Sequence, residues 1–191
     1  MAELLPALQV DIAGLGNHEL DGGIENYIEQ RTASGLPWLC SNCDDKHTGE
    51  PLGGGERTHV LERGGLRIGF MGLIEGDWIT TLAMDTSDLV YQDFCIVGNR
   101  LEKHLREDEG CHVVVALTHM RVPNDLKLAR EVPGLDLILG GHDHSVEDAF
   151  MCLDGTLGDE SEGAQGSPEP DASNGSASAT KGVGGIQAVS T

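Results

Sequence analysis

The sequence has few basic residues and no long apolar segment. Its 12 Lys and Arg residues stand against 32 Asp and Glu, which gives a net charge of −20 at pH 7. So large a negative charge argues against a nucleic-acid polymer or an anionic membrane as the partner. No segment approaches the roughly 20 apolar residues that a membrane-spanning helix needs. A small anionic ester can still bind, provided that metal ions dominate the local electrostatic field.

The chain also lacks the marks of secretion and of a repeat protein. Its five cysteines are an odd number and do not indicate a disulfide framework. Residues 1–10 contain neither a basic n-region nor the long apolar segment of a signal peptide. Unpaired cysteines favour a reducing compartment, so we predict a cytoplasmic location for the chain as it stands. The sequence contains no internal repeats.

The most informative motif is the tetrad Gly-His-Asp-His at 141–144, which follows the apolar segment Leu135–Leu139. Two histidines one residue apart, just past a predicted strand, are poorly explained by packing alone. A neutral imidazole is a nitrogen ligand for Zn, Mn, Fe or Ni. Residues two apart share a face on extended backbone, whereas a turning loop separates them. His142 and His144 are therefore predicted to bind one metal ion together or to serve two adjacent ions; the alternative is an ordinary polar loop.

Two other segments repeat this pattern of polar groups after a predicted strand. The apolar segment Val113–Leu117 leads to Thr118 and His119, and Val10–Leu15 leads to the motif at 16–19, Gly-Asn-His-Glu. A single histidine after a strand is more often an ordinary surface or core residue. In open α/β sheets, however, the carboxyl ends of the strands form the crevice where ligands bind. Three such segments are therefore predicted to converge at one edge of a sheet.

Taken in order, these motifs resemble those of the calcineurin-like metallophosphoesterases. Within that superfamily the sequence is most similar to the N-terminal domain of the 5'-nucleotidase and 2',3'-cyclic phosphodiesterase group. The resemblance covers about Met1–Ala149. It implies an αββα sandwich and the hydrolysis of small phosphate esters, with nucleotides as the expected substrates. It also implies two divalent metal ions in the intact enzymes, drawn from Zn, Mn, Fe, Co and Ni.

The resemblance assigns metal ligands to this sequence. Asn17, His119 and His142 would bind one metal ion, the asparagine through its side-chain oxygen. His144 would bind the second ion. Two such ions activate a water molecule, neutralise the phosphoryl oxygens and orient an in-line attack.

The resemblance assigns a catalytic role to His18. This histidine would not bind metal but would face the leaving-group oxygen, as a transition-state stabiliser or a proton donor. An imidazole suits that role because its pKa lies near working pH. Glu19 and Asp21 would orient the loop or cap the following helix.

The sequence departs from the family at two further motifs, Asp-x-His and Gly-Asp-x-x-Asp, which supply the second metal site and the bridging carboxylate. Asp45–His47 matches the letters Asp-x-His but lies in a polar loop after Cys43. The Gly-Asp pairs at 76–77 and 158–159 lack the second carboxylate. We therefore expect a truncated chain, either a fragment or a gene model without its first exon. Such a chain would lack the N-terminal strands and a C-terminal substrate domain, bind at most one metal ion and have low activity on its own.

Two other functions remain open from the sequence. A catalytically inactive binding or scaffold protein would keep the motif residues without turnover. A zinc protein would instead hold its metal at Cys40, Cys43 and His47. Cys40 and Cys43 follow a predicted strand end at Pro37–Leu39, which favours buried structural thiols over a metal pair.

The remaining pattern predicts alternating helices and strands. We predict a short helix at 2–9, an amphipathic helix at 94–107 and helices at 21–32 and from 123–125 to Glu131. Thr58–Glu62 and Leu66–Leu73 are predicted to form two strands of a hairpin. This alternation predicts an α/β fold with a mostly parallel sheet, and the family resemblance implies that residues 1–153 form an incomplete αββα sandwich with mostly parallel central strands. The missing strands are expected to leave an unprotected sheet edge.

The composition changes near residue 154. Residues 155–180 are mostly Gly, Ser, Ala, Asp and Glu, with almost no apolar anchor. Such a segment cannot bury enough surface to offset the entropy of ordering it. We therefore predict a disordered Gly/Ser/acidic tail at 154–191.

Overall fold

The computed structural model describes residue 2, residues 4–144, and the backbone of three short strands at 150–151, 157–158 and 188–190. The chain divides into two compact units. The first comprises Met1–His144 and Ile186–Thr191, and the second comprises Ser145–Gly185. None of the described helices is long and apolar enough to cross a membrane.

A three-stranded parallel sheet lies on one side of the first unit. Its strands are β1 (Ile12–Gly14), β2 (Trp38–Leu39) and β11 (Ala188–Ser190), in the order β11-β1-β2. Both sides of β1 are therefore paired in this structure, one with β2 and the other with β11. An unprotected sheet edge is expected from the sequence where strands are missing, and β11 is the strand that pairs along the outer side of β1.

A four-stranded sheet lies against the first. Its order is β4 (Thr58–Arg63), β5 (Leu66–Ile74), β7 (Val113–His119) and β8 (Leu137–Leu139). The hairpin of β4 and β5 is antiparallel, whereas β7 pairs in parallel with both β5 and β8. A small antiparallel pair, β3 (Cys43–Asp45) with β6 (Leu89–Tyr91), lies apart from both sheets. The prediction of an α/β fold with mostly parallel central strands is confirmed.

The two larger sheets pack through alternate residues of their strands. Val115 and Leu117 of β7 face the first sheet and meet Ile12 and Leu39 there. The intervening residues Val114 and Ala116 face the opposite side, as the two-residue period of a strand requires. Gly72 permits the close approach, because a Cβ there would lie 2.4 Å from the Cβ of Leu39.

Helices cover the outer faces of both sheets. The first sheet is covered by α2 (Gly23–Ser34), and the short α1 (Leu4–Ala7) also contributes a buried leucine to that apolar cluster. The second sheet is covered by α3 (Phe94–Glu107) and α4 (Val122–Glu131). The layers are therefore helix, sheet, sheet and helix, the predicted αββα sandwich.

The helix ends agree with the sequence prediction in part. The predicted bounds of α3 are confirmed, and its start is capped by Asp93, whose side chain accepts hydrogen bonds from the backbone N–H groups of Cys95 and Ile96. The predicted capping of α4 by the segment 123–125 is wrong. This helix has no side-chain cap and begins one residue before Pro123. Because Pro123 lies in the first turn, Asn124 and Asp125 fall inside the helix. Asn124 donates a hydrogen bond to Glu75, and Asp125 accepts one from Thr118.

The predicted tail at 154–191 lies largely outside the described residues. Within that range the structure describes only β11 and β10 (Leu157–Gly158). In the second unit, β10 pairs antiparallel with β9 (Phe150–Met151). The disorder of the tail stays a prediction.

Candidate metal and phosphoester site

Three strand ends bring the motif residues to one edge of the fold. Asn17 follows β1, and His119 is the last residue of β7. His142 follows β8 and forms an isolated parallel bridge with Met120. These three residues, which we call the histidine cluster, are in mutual contact through His119. The convergence follows from the parallel strands, whose carboxyl ends lie on the same side.

The histidine cluster is a compact set of neutral donors. The Nε2 atom of His119 donates a hydrogen bond to Asn17 Oδ1 at 2.7 Å and lies 3.1 Å from His142 Nδ1. The two imidazole rings meet edge to face, with centroids 4.9 Å apart. His119 is only 3% exposed. One imidazole proton therefore lies at the point where an amide oxygen and a second imidazole nitrogen converge.

Burial keeps His119 in its neutral form. Loss of hydration on burial, together with the nearby charges of His142, His18 and His144, lowers the pKa of this imidazole to about 4. A metal ion binds a neutral imidazole through its unprotonated nitrogen, so binding at His119 Nε2 would require only that the ring proton shift to Nδ1.

The loop after β1 is closed by its own glutamate. Glu19 is 9% exposed, and its Oε2 accepts a hydrogen bond from the backbone N–H of Gly16 at 2.8 Å. This contact fixes the turn that presents Asn17. Glu19 orients the loop, one of the two roles expected for it.

His18 lies at the exposed side of the same loop. Its side chain is 67% exposed, and its Nδ1 lies 2.8 Å from Asp21 Oδ2. Asp21 therefore fixes the ring through Nδ1 and leaves Nε2 directed away from the contact. The arrangement separates His18, a solvent-facing imidazole, from the buried His119.

The loop carrying the paired histidines has unusual backbone geometry. His142 has φ of 91° and His144 has φ of 54°, in the left-handed region that favours glycine. Asp143, which lies between them, accepts a hydrogen bond from the backbone N–H of Val122 at 2.8 Å. This contact ties the loop to the first residue of α4. Strained backbone held by a specific contact is typical of functional sites.

The donor chemistry of the histidine cluster fits one divalent ion. Adjacent ligands on a metal with bonds of about 2.0–2.2 Å at right angles lie roughly 3 Å apart. His119 Nε2 lies 2.7 Å from Asn17 Oδ1 and 3.1 Å from His142 Nδ1, and both separations agree with that spacing. The set has two imidazole nitrogens and one amide oxygen but no carboxylate. Within residues 4–144 no three His, Cys, Asp or Glu side chains are grouped so as to hold a metal ion.

His144 is placed near this set but is not part of it. Its charge affects His119, yet the described contacts of the cluster involve only Asn17, His119 and His142. The structure therefore brings together the three ligands predicted for one ion, with His144 and His18 close by. The roles of all five residues stay predictions.

Sequence reasoning missed the side chains that hold His119. Trp78 donates from Nε1 to the backbone carbonyl of His119 at 3.1 Å, and its ring meets the imidazole edge to face. Glu75, only 2% exposed, binds Arg121 just after His119. These residues lie just after the end of β5, where the sequence shows neither periodicity nor a motif. The one available signal was that both residues follow the predicted strand Leu66–Leu73, whose carboxyl end can lie at the same edge of the sheet as the ligands.

The segment Asp45–His47 forms a local turn. Asp45 Oδ1 accepts hydrogen bonds from the backbone N–H groups of His47 and Thr48, and these bonds lower the pKa of that carboxyl. The imidazole of His47 lies 3.1 Å from Asp88. The Asp45 side chain is therefore bonded within its own turn, and the His47 side chain is bonded to Asp88. Both contacts agree with the interpretation of this segment as a polar loop.

The alternative zinc site at Cys40 and Cys43 is not favoured by the geometry. Both cysteines are buried, and Cys40 Sγ donates to the backbone carbonyl of Cys43 at 3.1 Å. A hydrogen bond with Cys40 and burial raise the pKa of the Cys43 thiol. Thiolate is the metal-binding form, so the raised pKa of Cys43 disfavours that residue as a ligand. His47, the proposed third ligand, is directed to Asp88.

The family model of the calcineurin-like phosphoesterases matches residues 1–146. An apyrase from Tabanus yao is 36% identical over 145 residues, covering 74% of this chain and 25% of that protein. A 5'-nucleotidase from Vibrio vulnificus (strain CMCP6) is 28% identical over 148 residues, covering 69% of this chain and 26% of that protein. The chain therefore spans about a quarter of the length of these relatives.

A solved structure shares the fold. The crystal structure of a 5'-nucleotidase precursor from Thermus thermophilus superposes with a TM-score of 0.70 at 22% identity, covering 82% of this chain and 33% of that chain. At this identity the likeness shows the αββα fold alone. Phosphoesterases of the matched family normally use divalent metal ions. The extent of the family match, together with the fold, shows that this chain belongs to the calcineurin-like phosphoesterases.

Proposed function

We propose that the first unit is the metal-binding part of a phosphoesterase that hydrolyses phosphate esters of nucleotides. The observation that carries the proposal is the convergence of Asn17, His119 and His142 within 3.1 Å contacts at the carboxyl ends of three strands. Relatives named apyrase and 5'-nucleotidase support nucleotides as the substrate class. Because the chain spans about a quarter of those relatives, the activity is proposed for the complete enzyme.

The histidine cluster would hold one divalent ion through Asn17 Oδ1, His119 Nε2 and His142 Nδ1. When bound, the ion supplies charge neutralisation at the phosphoryl oxygens and activation of the attacking water. His119 stays neutral because of its burial. The buried Glu19 holds the turn of Asn17, and Asp143 holds the loop of His142. These contacts keep the three donors aligned before the ion arrives.

His18 would act on the leaving group. Asp21 fixes its Nδ1, so the remaining nitrogen, Nε2, is free to hold a proton toward solvent. The exposure of the His18 ring leaves room for an ester to approach.

The 191-residue chain is proposed to bind at most one ion and to hydrolyse esters slowly. The histidine cluster contains three neutral ligands, and among the described residues His144 is the one predicted ligand of a second ion that lies near it. Without an anionic ligand, desolvation of a divalent ion is poorly offset, and two neighbouring ions would repel each other. Because in-line attack by this mechanism uses two ions, turnover should fall orders of magnitude below that of an intact relative.

The experiment compares hydrolysis of an aryl phosphate and of AMP by the purified chain in Mn²⁺ or Co²⁺, with and without chelator. We expect slow, chelator-sensitive hydrolysis that His18→Ala and His119→Ala both abolish, while His104→Ala, a surface control, leaves it unchanged. Chelator-sensitive hydrolysis that survives His119→Ala would contradict the proposal. Metal binding without turnover on any ester would favour the inactive scaffold.

A further inference from the structure

Glu75 is a buried carboxylate next to the histidine cluster. It directly follows Ile74, the last residue of β5, and Ile74 is the register partner of His119 on β7. The residue is 2% exposed. Glutamate is almost never buried so deeply without a partner, so its contacts indicate why it is there.

All of the donors that bind Glu75 within the described residues lie just after His119. The backbone N–H of Arg121 donates to Glu75 Oε2 at 3.1 Å, and the guanidinium Nε donates to Oε1 at 2.7 Å. Asn124 Nδ2 donates to the same carboxylate. One carboxylate at the end of β5 therefore holds both the chain segment that leaves β7 and the first turn of α4.

Stability alone does not explain why the carboxylate of this ion pair is buried, since its arginine partner is 45% exposed and the glutamate only 2%. Replacing a buried ion pair by apolar residues of similar volume is often neutral or stabilising, whereas removing one partner is strongly destabilising. Burial of one charged partner is better justified where it fixes a geometry that function requires. Here the fixed segment begins two residues after His119, the residue through which the histidine cluster is held together.

The residues that follow Glu75 brace His119 from a second side. Trp78 donates to the His119 carbonyl, and its ring centroid lies 6.0 Å from that of the imidazole. Asp77 lies between Glu75 and Trp78 in sequence and pairs with the outer guanidinium nitrogen of Arg121, but its side chain is 73% exposed. Arg121 thus has two carboxylate partners, one buried and one exposed.

We propose that Glu75 is a positioning residue that sets the orientation of the His119 imidazole toward Asn17 and His142. The proposal rests on the proposed metal site. Glu75 does not touch the ion or the ester; it acts through Arg121 and Asn124 on the backbone that carries His119. Asp77, on the solvent side of the same arginine, contributes little because exposed ion pairs are weak.

The experiment uses the 191-residue chain and three variants. Glu75→Gln removes the buried charge with little change in size. Asp77→Asn is the matched control, since it alters the exposed partner of the same arginine. A double variant, Glu75→Leu with Arg121→Met, removes the buried carboxylate together with its half-exposed guanidinium partner, so that neither charge is left without the other.

Two readouts separate positioning from folding. In the metal-free protein, long-range ¹⁵N NMR of the His119 ring reports the Nε2 proton bound to Asn17. The visible absorption of added Co²⁺ reports metal binding. Contacts that orient metal ligands are typically worth 10–100-fold in metal affinity, so we expect a loss of about that size for Glu75→Gln and for the double variant. Asp77→Asn should stay within about twofold of the wild-type affinity, as expected for an exposed pair.

The double variant gives the decisive comparison. It should match wild type in cooperative thermal unfolding yet show an altered His119 proton signal and the same loss of Co²⁺ affinity. A double variant with wild-type His119 signals and Co²⁺ affinity would show that the pair serves stability alone. Equal losses of Co²⁺ affinity in Asp77→Asn and Glu75→Gln would also overturn the proposal. A wild-type chain that binds no Co²⁺ would count against the metal site, and the His119 signals would still decide the role of Glu75.

Discussion

Asp125 accepts a hydrogen bond from the hydroxyl of Thr118 at 2.7 Å, and Thr118 directly precedes His119. The second carboxylate oxygen lies beside Gly140, where an added Cβ would come within 2.7 Å of it. Asp125 on α4 therefore contacts the ends of both strands that lead to the histidine ligands. The contact joins the helix to β7 and β8 at the level of the site.

Asp125 should make stability depend on pH. Burial raises the pKa of this carboxyl to about 7, with Glu75 and Asp143 adding to the rise and the Thr118 hydrogen bond opposing it. The folded state thus binds the proton more tightly than the unfolded chain, so this stabilisation is complete below about pH 4 and is lost as the pH rises to about 7. Asp125→Asn keeps an acceptor for Thr118 and should remove that loss, which is on the order of 2–4 kcal/mol.

The measurement is urea unfolding of wild type and Asp125→Asn from pH 4 to pH 8. The difference between the two curves isolates Asp125 from other titrating groups. We expect the variant to gain stability relative to wild type as the pH rises. Curves that remain parallel would show that Asp125 does not titrate in this range.

The contribution of His119 to folding stability should depend on pH in the opposite direction. Its pKa is lowered to about 4 in the folded state, against about 6.5 in an unfolded chain. Stability from this residue is therefore present above about pH 6.5 and is lost as the pH falls toward 4. An NMR titration of the His119 ring in metal-free protein should give a midpoint near pH 4, with the urea-unfolded chain as the reference. A midpoint near 6.5 in the folded protein would mean that the ring is solvated and the cluster is open.

Replacement of the buried Tyr27 by phenylalanine should be tolerated. Its ring is fully buried, and its hydroxyl lacks a hydrogen-bond partner within the described part of the chain. Removing an unsatisfied polar atom relieves its desolvation cost, so Tyr27→Phe should be neutral or stabilising by about 1 kcal/mol. By contrast, Ser34→Ala would leave the Trp38 indole N–H without its acceptor at 2.9 Å. That variant should lose about 1–3 kcal/mol, and both changes can be measured by thermal unfolding. A large loss in Tyr27→Phe would indicate that the hydroxyl is hydrogen-bonded in solution.

The main elements and the proximity of the ligands were predictable from the sequence. The apolar stripe of α3 gave its bounds, Phe94–Glu107, because buried residues recur at helical spacing. The strand-end rule placed Asn17, His119 and His142 together, since parallel strands share one carboxyl edge. Each of these inferences used a repeated or local pattern.

The supports of the site were not predictable. Glu75 follows a strand as any solvated glutamate does, and only the fold shows that it is buried against Arg121. Asn124 and Asp125 are residue types that often cap helices, but α4 begins at Val122 and both lie inside its first turns. Their side chains bind Glu75 and Thr118 instead. The pairing of β11 with β1 depends on contacts between residues far apart in the chain, which no local pattern reports.

Metal stoichiometry tests the central claim that Asn17, His119 and His142 form one metal site. The measurement is metal content after dialysis against Zn²⁺ or Co²⁺, for wild type, His119→Ala, His142→Ala and Cys40→Ser. The account predicts at most one ion in wild type, none in either histidine variant, and a wild-type value in Cys40→Ser. Two tightly held ions in wild type would contradict the account, as would loss of the ion in Cys40→Ser with retention in His119→Ala.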